Sequence, residues 1–244
     1  MIILRIINLS LILISAFVHE TLQTESQDCA VISPSAGLLQ AAGFSPECVA
    51  MSLVNCHCSG MDNGSDKKKH IRPRNCMEIL ENNDKKSGLK TIYPWRSYPT
   101  VSETVFCDQE TDGGGWIVIQ QRLNLSVRED FYRTWEEYRV GFGSKDREFW
   151  LGNDLISEIT TGSLQTLRID LKDYEEERKW AKYEYFYVED STNNFKIHVG
   201  RYNGTAGDGL NKDMHDGRTF STHDRDNDVQ SHNCAKKYVF YFFP

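Results

Sequence analysis

The chain has no basic stripe. Its 28 Lys and Arg stand against 35 Asp and Glu, leaving a net charge of −7 over 244 residues. Nucleic acids and anionic membranes are poor partners for such a surface. It also lacks any apolar run as long as the ~20 residues a bilayer-spanning helix needs. There is no Ser or Cys nucleophile motif, no metal-hydrolase motif and no cofactor motif, so the sequence does not read as an enzyme. The glycine cluster Gly113-Gly114-Gly115 is followed by a strand pattern. A phosphate-cradling loop would continue into a helix with Lys or Ser/Thr, so nucleotide binding is excluded. The glycines instead suit a tight turn with close backbone packing.

What is present begins with Met1-Ile2-Ile3-Leu4-Arg5 and an apolar run from Ile6 to Val18, interrupted by Asn8, Ser10 and Ser15. One basic residue before a short apolar core is the pattern of a secretory signal peptide, assigned to residues 1–23. Export changes the meaning of the seven cysteines, which become disulfide candidates first and metal ligands second. Cys29, Cys48, Cys56 and Cys58 fall in an N-terminal segment, residues 24–58, and the odd total leaves at least one cysteine without a partner in the chain. Cys56-His57-Cys58 has no second ligand pair at zinc spacing, so a disulfide or interchain role is expected. Sequons at Asn63, Asn124 and Asn203 fit a secreted glycoprotein. A polar, turn-rich stretch, residues 59–74, reads as a linker, its Lys67-Lys68-Lys69 as a solvated face.

Regular patterning starts after Cys76. Trp116–Gln121 is β-branched and alternating, which predicts a strand. Thr134 and Glu137 have capping-box spacing before a short helix reaching Arg139. Asn153 is placed to cap a helix whose inner face is Leu155, Ile156 and Ile159 and which stops at Gly162. Alternating runs Leu167/Ile169/Leu171, Tyr183/Tyr185/Tyr187 and Phe195/Ile197/Val199 predict antiparallel strands, the three tyrosines sharing one sheet face. Strand signals fade beyond Gly200. The fold class is α+β: a twisted antiparallel sheet with short helices and a loop-rich C-terminal part.

Asp224, Asp226 and Asp228 alternate in that loop-rich part. Alternating carboxylates in a loop converge on a hard cation, since calcium takes six to eight oxygen ligands. The spacing is not that of an EF-hand, because Val229 and Ala235 stand where Gly and Glu would be required. His215-Asp216 and His223-Asp224 are adjacent pairs with loop roles, and Glu175-Glu176-Glu177 reads as a solvated turn rather than a glycosidase pair.

Asn75-Cys76, Val105-Phe106-Cys107-Asp108, Gly113 to Gln120, Tyr138 to Gly143 and Glu148 to Asn153 together resemble the fibrinogen C-terminal (fibrinogen-related) domain. The register continues through Val199-Gly200, Ala206-Gly207-Asp208, Phe220-Ser221-Thr222, Asp224 to Asp228 and Asn233-Cys234-Ala235. The domain is assigned to residues 75–244. Within the family the chain is most similar to techylectin-type lectins and ficolins. The resemblance implies a Cys76–Cys107 disulfide. It also implies Ca2+ held by Asp226 and Asp228 with main-chain oxygens of Gln230 and His232, and Tyr238 at one aromatic position of an acetyl-group pocket. It implies a secreted lectin of innate defence, recognising acetylated sugars on microbial surfaces as a disulfide-linked homo-oligomer. The family carries a second cysteine about a dozen residues after the position of Cys234, followed by the rest of the pocket and a last strand. Here Val239-Phe240-Tyr241-Phe242-Phe243-Pro244 follows Tyr238, which makes the domain truncated and leaves Cys234 without that partner. Two other readings follow: a binding-null paralogue or isoform, and a protein-interaction module of the matrix or coagulation type.

Overall fold

The computed structural model describes residues 1–7, 72–210 and 212–237. Cys29, Cys48, Cys56, Cys58, the sequon at Asn63, Tyr238 and the run Val239–Pro244 lie outside the described residues.

Helix α1 (Cys76–Glu81) starts where Asn75 accepts the Glu78 N–H at 2.9 Å. This is a side-chain cap on an otherwise orphaned donor. Its first residue, Cys76, is buried and joined by a disulfide to Cys107, with Cα atoms 5.5 Å apart. Cys107 lies in β3 (Glu103–Asp108), which pairs antiparallel with β2 (Gly88–Ile92) on one side and β4 (Trp116–Arg122) on the other. The turn into β4 is the Gly113-Gly114-Gly115 cluster, all at positive φ. A Cβ on Gly114 would lie 2.5 Å from the Gln109 carbonyl oxygen, so no other residue fits without moving backbone. Gln109, itself buried, holds the turn by accepting from Gly115 N–H at 2.7 Å and donating to the Cys76 carbonyl at 3.0 Å.

Helix α2 (Trp135–Val140) begins with the expected capping box. Thr134 accepts from Glu137 N–H, and the Glu137 carboxylate accepts from Thr134 N–H at 2.8 Å. Two short strands, β5 (Phe142–Gly143) and β6 (Phe149–Trp150), follow, and β6 hydrogen-bonds to Gln120 and Gln121 of β4. Helix α3 (Asn153–Thr161) buries Leu155 and Ile156 against the sheet, with Ile159 partly covered. Its cap differs from expectation. Gly152, at φ 106°, takes the N-cap position, and the Asn153 side chain accepts instead from Trp150 Nε1 at 2.9 Å. The indole N–H needed a buried acceptor, and that need outweighed the cap.

The second half of the sheet is β7 (Gln165–Lys172), β8 (Arg178–Val188) and β9 (Ile197–Gly204), paired antiparallel in that order. The three tyrosines do not share a face. Buried positions in β8 run Ala181 and Tyr183, then Phe186 and Val188. The β7 register slips in the same place, and Arg201 on β9 adopts φ 59°. The bulge turns Tyr185 and Tyr187, whose rings meet edge-on, away from the side that buries Tyr183.

Among the described residues the strands form one sheet with the central order β2-β3-β4-β1-β7-β8-β9. The middle strand is β1, Ile2–Ile7, parallel to both β4 and β7. A nearly continuous apolar hexad suits a strand between two others. The core below contains Trp116, Ile119, Phe149, Trp150, Phe186, Phe195 and Phe220, all buried. No helix of the described residues is long and apolar enough to cross a membrane.

Candidate functional site

The loop bearing the alternating aspartates is anchored at Phe220, which is 2 % exposed. Its ring packs against Tyr138, Trp135 and Trp150 with centroids 5.2, 5.9 and 6.3 Å apart. The chain then turns back on itself, with Thr222 and Arg225 exchanging backbone hydrogen bonds at 2.9 and 3.1 Å. Asp224 projects from this turn to the start of α2, where its Oδ1 accepts from Trp135 N–H at 2.9 Å and from the Thr222 hydroxyl at 2.8 Å. A carboxylate at a helix N-terminus satisfies a free donor and meets the positive end of the helix dipole. Partial burial would raise the Asp224 carboxyl, but the Thr222 and Trp135 hydrogen bonds outweigh it and hold it below the usual carboxylate range. Arg225 lies over the Trp135 ring, 4.0 Å from its centre, and His223 stacks on Tyr132. Asp224 and His223 thus fasten the loop to the domain, in keeping with a loop role rather than acid–base work.

Beyond Arg225 the direction of successive side chains alternates. Asn227 faces inward: its side chain donates to the Phe220 carbonyl at 2.8 Å, and its backbone N–H reaches the Ser221 hydroxyl at 3.0 Å. The Thr219 hydroxyl donates to its carbonyl at 2.7 Å. Asn233 ties the far end by donating to the Thr222 carbonyl at 2.9 Å. Asp226 lies just before the first of these stitches, and Asp228 lies between the two. Asp226 is exposed, and its Oδ1 accepts from Asp228 N–H at 3.2 Å. Asp228 is half-buried, and its two oxygens accept from Gln230 and Cys234 N–H, both at 2.8 Å. Burial opposes ionisation of Asp228, but those two amides prevail and lower its pKa. Gln230 and His232 occupy exposed bends in the same segment. Sequence reasoning singled out the aspartates but not Asn227 and Asn233, whose inward placement was signalled only by the alternation itself.

The donors in this segment fit a hard cation. Asp226 and Asp228 supply carboxylate oxygens two residues apart, and each oxygen has a lone pair beyond the one an amide uses. Among the described residues no three His, Cys, Asp or Glu side chains converge, so a cation here would take its further ligands from main-chain oxygens and water. A soft thiolate site is disfavoured. Cys234 is a half-buried free thiol, pushed up by burial and then by the Asp228 charge, so it stays protonated. Asn124 and Asn203 are both exposed, the first in a loop and the second in β9. Glu175 and Glu177 donate their N–H groups to Asp173 in a turn, as expected of a solvated connection.

The chain is 49% identical over 168 residues to tenascin-R of Homo sapiens, covering 68% of this chain and 12% of that protein. It is 42% identical over 168 residues to techylectin-5A of Tachypleus tridentatus, covering 68% and 56%. The chain therefore spans less than two thirds of the length of these relatives. Among solved structures, the fibrinogen-like globe domain of human ANGPTL2 superposes with a TM-score of 0.62 at 38% identity, covering 67% of this chain and 73% of that one. A lamprey fibrin D-dimer, complexed with the peptide ligand Gly-His-Arg-Pro-amide, gives 0.61 at 35% identity, covering 75% and 60%. Residues 72–243 match the family described as fibrinogen beta and gamma chains, C-terminal globular domain, and the chain belongs to that family.

Proposed function

We propose that this domain is an extracellular, non-enzymatic recognition module for acetylated carbohydrates on microbial surfaces, braced by Ca2+. Asp226 and Asp228 would hold the ion together with main-chain oxygens of Gln230 and His232, and Tyr238 would line the acetyl-group pocket. The observation that carries this reading is the pinned loop: the carboxylates of Asp226 and Asp228 flank the inward stitch of Asn227, and Asn233 ties the far end. The similarity to techylectin-5A supports the lectin class. A bound cation neutralises the Asp226–Asp228 repulsion and fixes the loop, so its contribution is shape rather than chemistry. The N-terminal cysteines would link copies, and linked copies convert weak single-site sugar binding into avidity. Export through residues 1–23 and glycosylation at Asn63, Asn124 and Asn203 belong to the same reading.

The test is retention on immobilised N-acetylglucosamine. The protein is expected to bind in calcium, to elute with EDTA or free N-acetylglucosamine, and to pass through as Asp226→Ala. Passage of the unmodified protein in calcium would contradict the reading.

A second reading is favoured by the 49% identity to tenascin-R and by the peptide held in the lamprey fibrin structure. In it the domain binds a protein segment. Capture of a protein partner that survives glycosidase treatment and excess N-acetylglucosamine would decide for it.

A further inference from the structure

The sequon Asn203-Gly204-Thr205 lies at the end of β9, the last strand in the sheet order. Alternation in β8 assigns the faces there. Ala181 and Tyr183 are buried, so Trp180 and Lys182 project from the opposite, outer face. Register extends that face across the neighbouring strands. Lys182 stands opposite Arg168 of β7 and Asn203 of β9, and Trp180 stands opposite Asp170. Directly opposed residues share a face, so Trp180 is the diagonal neighbour of Asn203, a separation that large side chains bridge.

The Trp180 ring is held in place. The Arg168 guanidinium lies 5.0 Å from its centre, and is itself fixed by Asp170 at 2.8 Å and Asp112 at 3.2 Å. Lys182 also reaches Asp112, at 3.3 Å. The Trp180 backbone is fastened to the sequon. Its N–H donates to the Thr205 hydroxyl at 3.2 Å, and its carbonyl accepts from Thr205 and Ala206 N–H at 2.8 and 3.0 Å. A Cβ on Gly204 would lie 2.3 Å from that carbonyl oxygen, so glycine is what lets the sequon lie this close. The outcome is a half-buried indole beside an exposed asparagine on paired strands.

We propose that an N-linked glycan on Asn203 folds back over Trp180 and Lys182 and closes this face of the sheet. The inference rests on the reading of the chain as exported, since the glycan is added during export. On the unfolded chain an oligosaccharide is transferred from a lipid pyrophosphate. A bond forms between Asn203 Nδ2 and C1 of the first N-acetylglucosamine, the C1–O bond to pyrophosphate breaks, and one amide proton leaves to solvent. The Thr205 hydroxyl is therefore available to the transferase before folding engages it with Trp180. In the folded domain, the C–H face of the sugar ring meets the indole through dispersion and the ring quadrupole, while its hydroxyls stay in water. Lys182 lies directly beside the attachment point, so the same sugars cover it. The glycan thereby withdraws Trp180 and Lys182 from protein partners.

The experiment compares the full chain secreted from a eukaryotic host with its Asn203→Gln variant from the same host. Peptide mass spectrometry of the secreted protein is expected to show a glycopeptide at Asn203. Absence of the chain from the medium overturns the export reading and the proposal with it; a secreted chain with bare Asn203 overturns the proposal alone. Thermal melts read the packing. The glycosylated protein is expected to melt about 2–4 °C above Asn203→Gln, the shift of one aromatic-sized contact in a domain of this length. In a Trp180→Val background that difference disappears, as a double-mutant cycle requires of two groups in contact. Lysine acetylation by N-hydroxysuccinimidyl acetate gives a readout independent of Trp180→Val. Lys182 is expected to react several-fold more slowly in the glycosylated protein than in Asn203→Gln, while the exposed Lys85 and Lys86 react equally in both. An equal gain in Tm with Trp180→Val would assign the effect to the unfolded chain and overturn the proposal. Equal reactivity of Lys182 with and without the glycan overturns it as well.

Discussion

Phe220→Ala is expected to cost about 3–5 kcal/mol, the range for truncating a buried aromatic side chain. The ring is 2 % exposed and touches three other aromatic residues, Trp135, Tyr138 and Trp150. Aromatic pairs of this kind add about 0.5–1.5 kcal/mol beyond the area they bury. The surrounding rings are held by their own partners, Trp150 Nε1 by Asn153 and the Tyr138 hydroxyl by the Phe131 carbonyl at 2.9 Å. They cannot collapse into the vacancy, which places the cost toward the upper end. Since a whole domain is stable by about 5–15 kcal/mol, this one substitution removes a large share. Urea unfolding checks it: the midpoint falls while the slope is kept. A loss below about 1 kcal/mol, within the common run of surface changes, would mean the aspartate loop is not anchored through this ring.

Replacing both Cys76 and Cys107 with serine is expected to cost about 2–5 kcal/mol. The cross-link closes a loop with a sequence separation of 31 residues. On the chain-entropy estimate, such a loop contributes about 3–4 kcal/mol by restricting the unfolded chain. The local structure adds a second reason. Both cysteines are fully buried, and the bond fastens α1 to β3 beside the Gln109 bridge to Cys76 and the Gly113–Gly115 turn. Thermal melts check this directly. Reductant lowers the melting temperature of the unmodified protein and leaves the double-serine variant unchanged. If reductant has no effect on the unmodified protein, the bond does not carry this stability.

Much of the architecture was legible because it rests on local chemistry. The Thr134–Glu137 box needs only two side chains and the first turn of a helix, and it sits where its spacing placed it. The β-branched alternation from Trp116 likewise became a central strand. What failed was decided by neighbours distant in sequence. Asn153 had the chemistry of a cap, but the indole of Trp150 claimed its oxygen. Tyr183, Tyr185 and Tyr187 had the spacing of one face, but the bulge opposite Arg201 rotated the last two. The place of Ile2–Ile7 in the sheet has no local signature, since a leader core and a buried parallel strand are both short apolar runs. At the candidate site the aspartates were visible as a motif. The task of Asp224 was not, because its partner, the Trp135 N–H, lies 89 residues away.

The central claim is that Asp226 and Asp228 hold a calcium ion that shapes a recognition loop. Isothermal titration of the metal-free protein with calcium chloride tests it most directly. One ion is expected to bind with measurable heat, and Asp226→Ala and Asp228→Ala are each expected to weaken it by about tenfold or more, as loss of a charged oxygen ligand does. At a hundredfold excess over Kd, the bound ion adds about 2.7 kcal/mol of stability, visible as a higher Tm. No heat of binding, with the same Tm in calcium and in EDTA, would contradict the account.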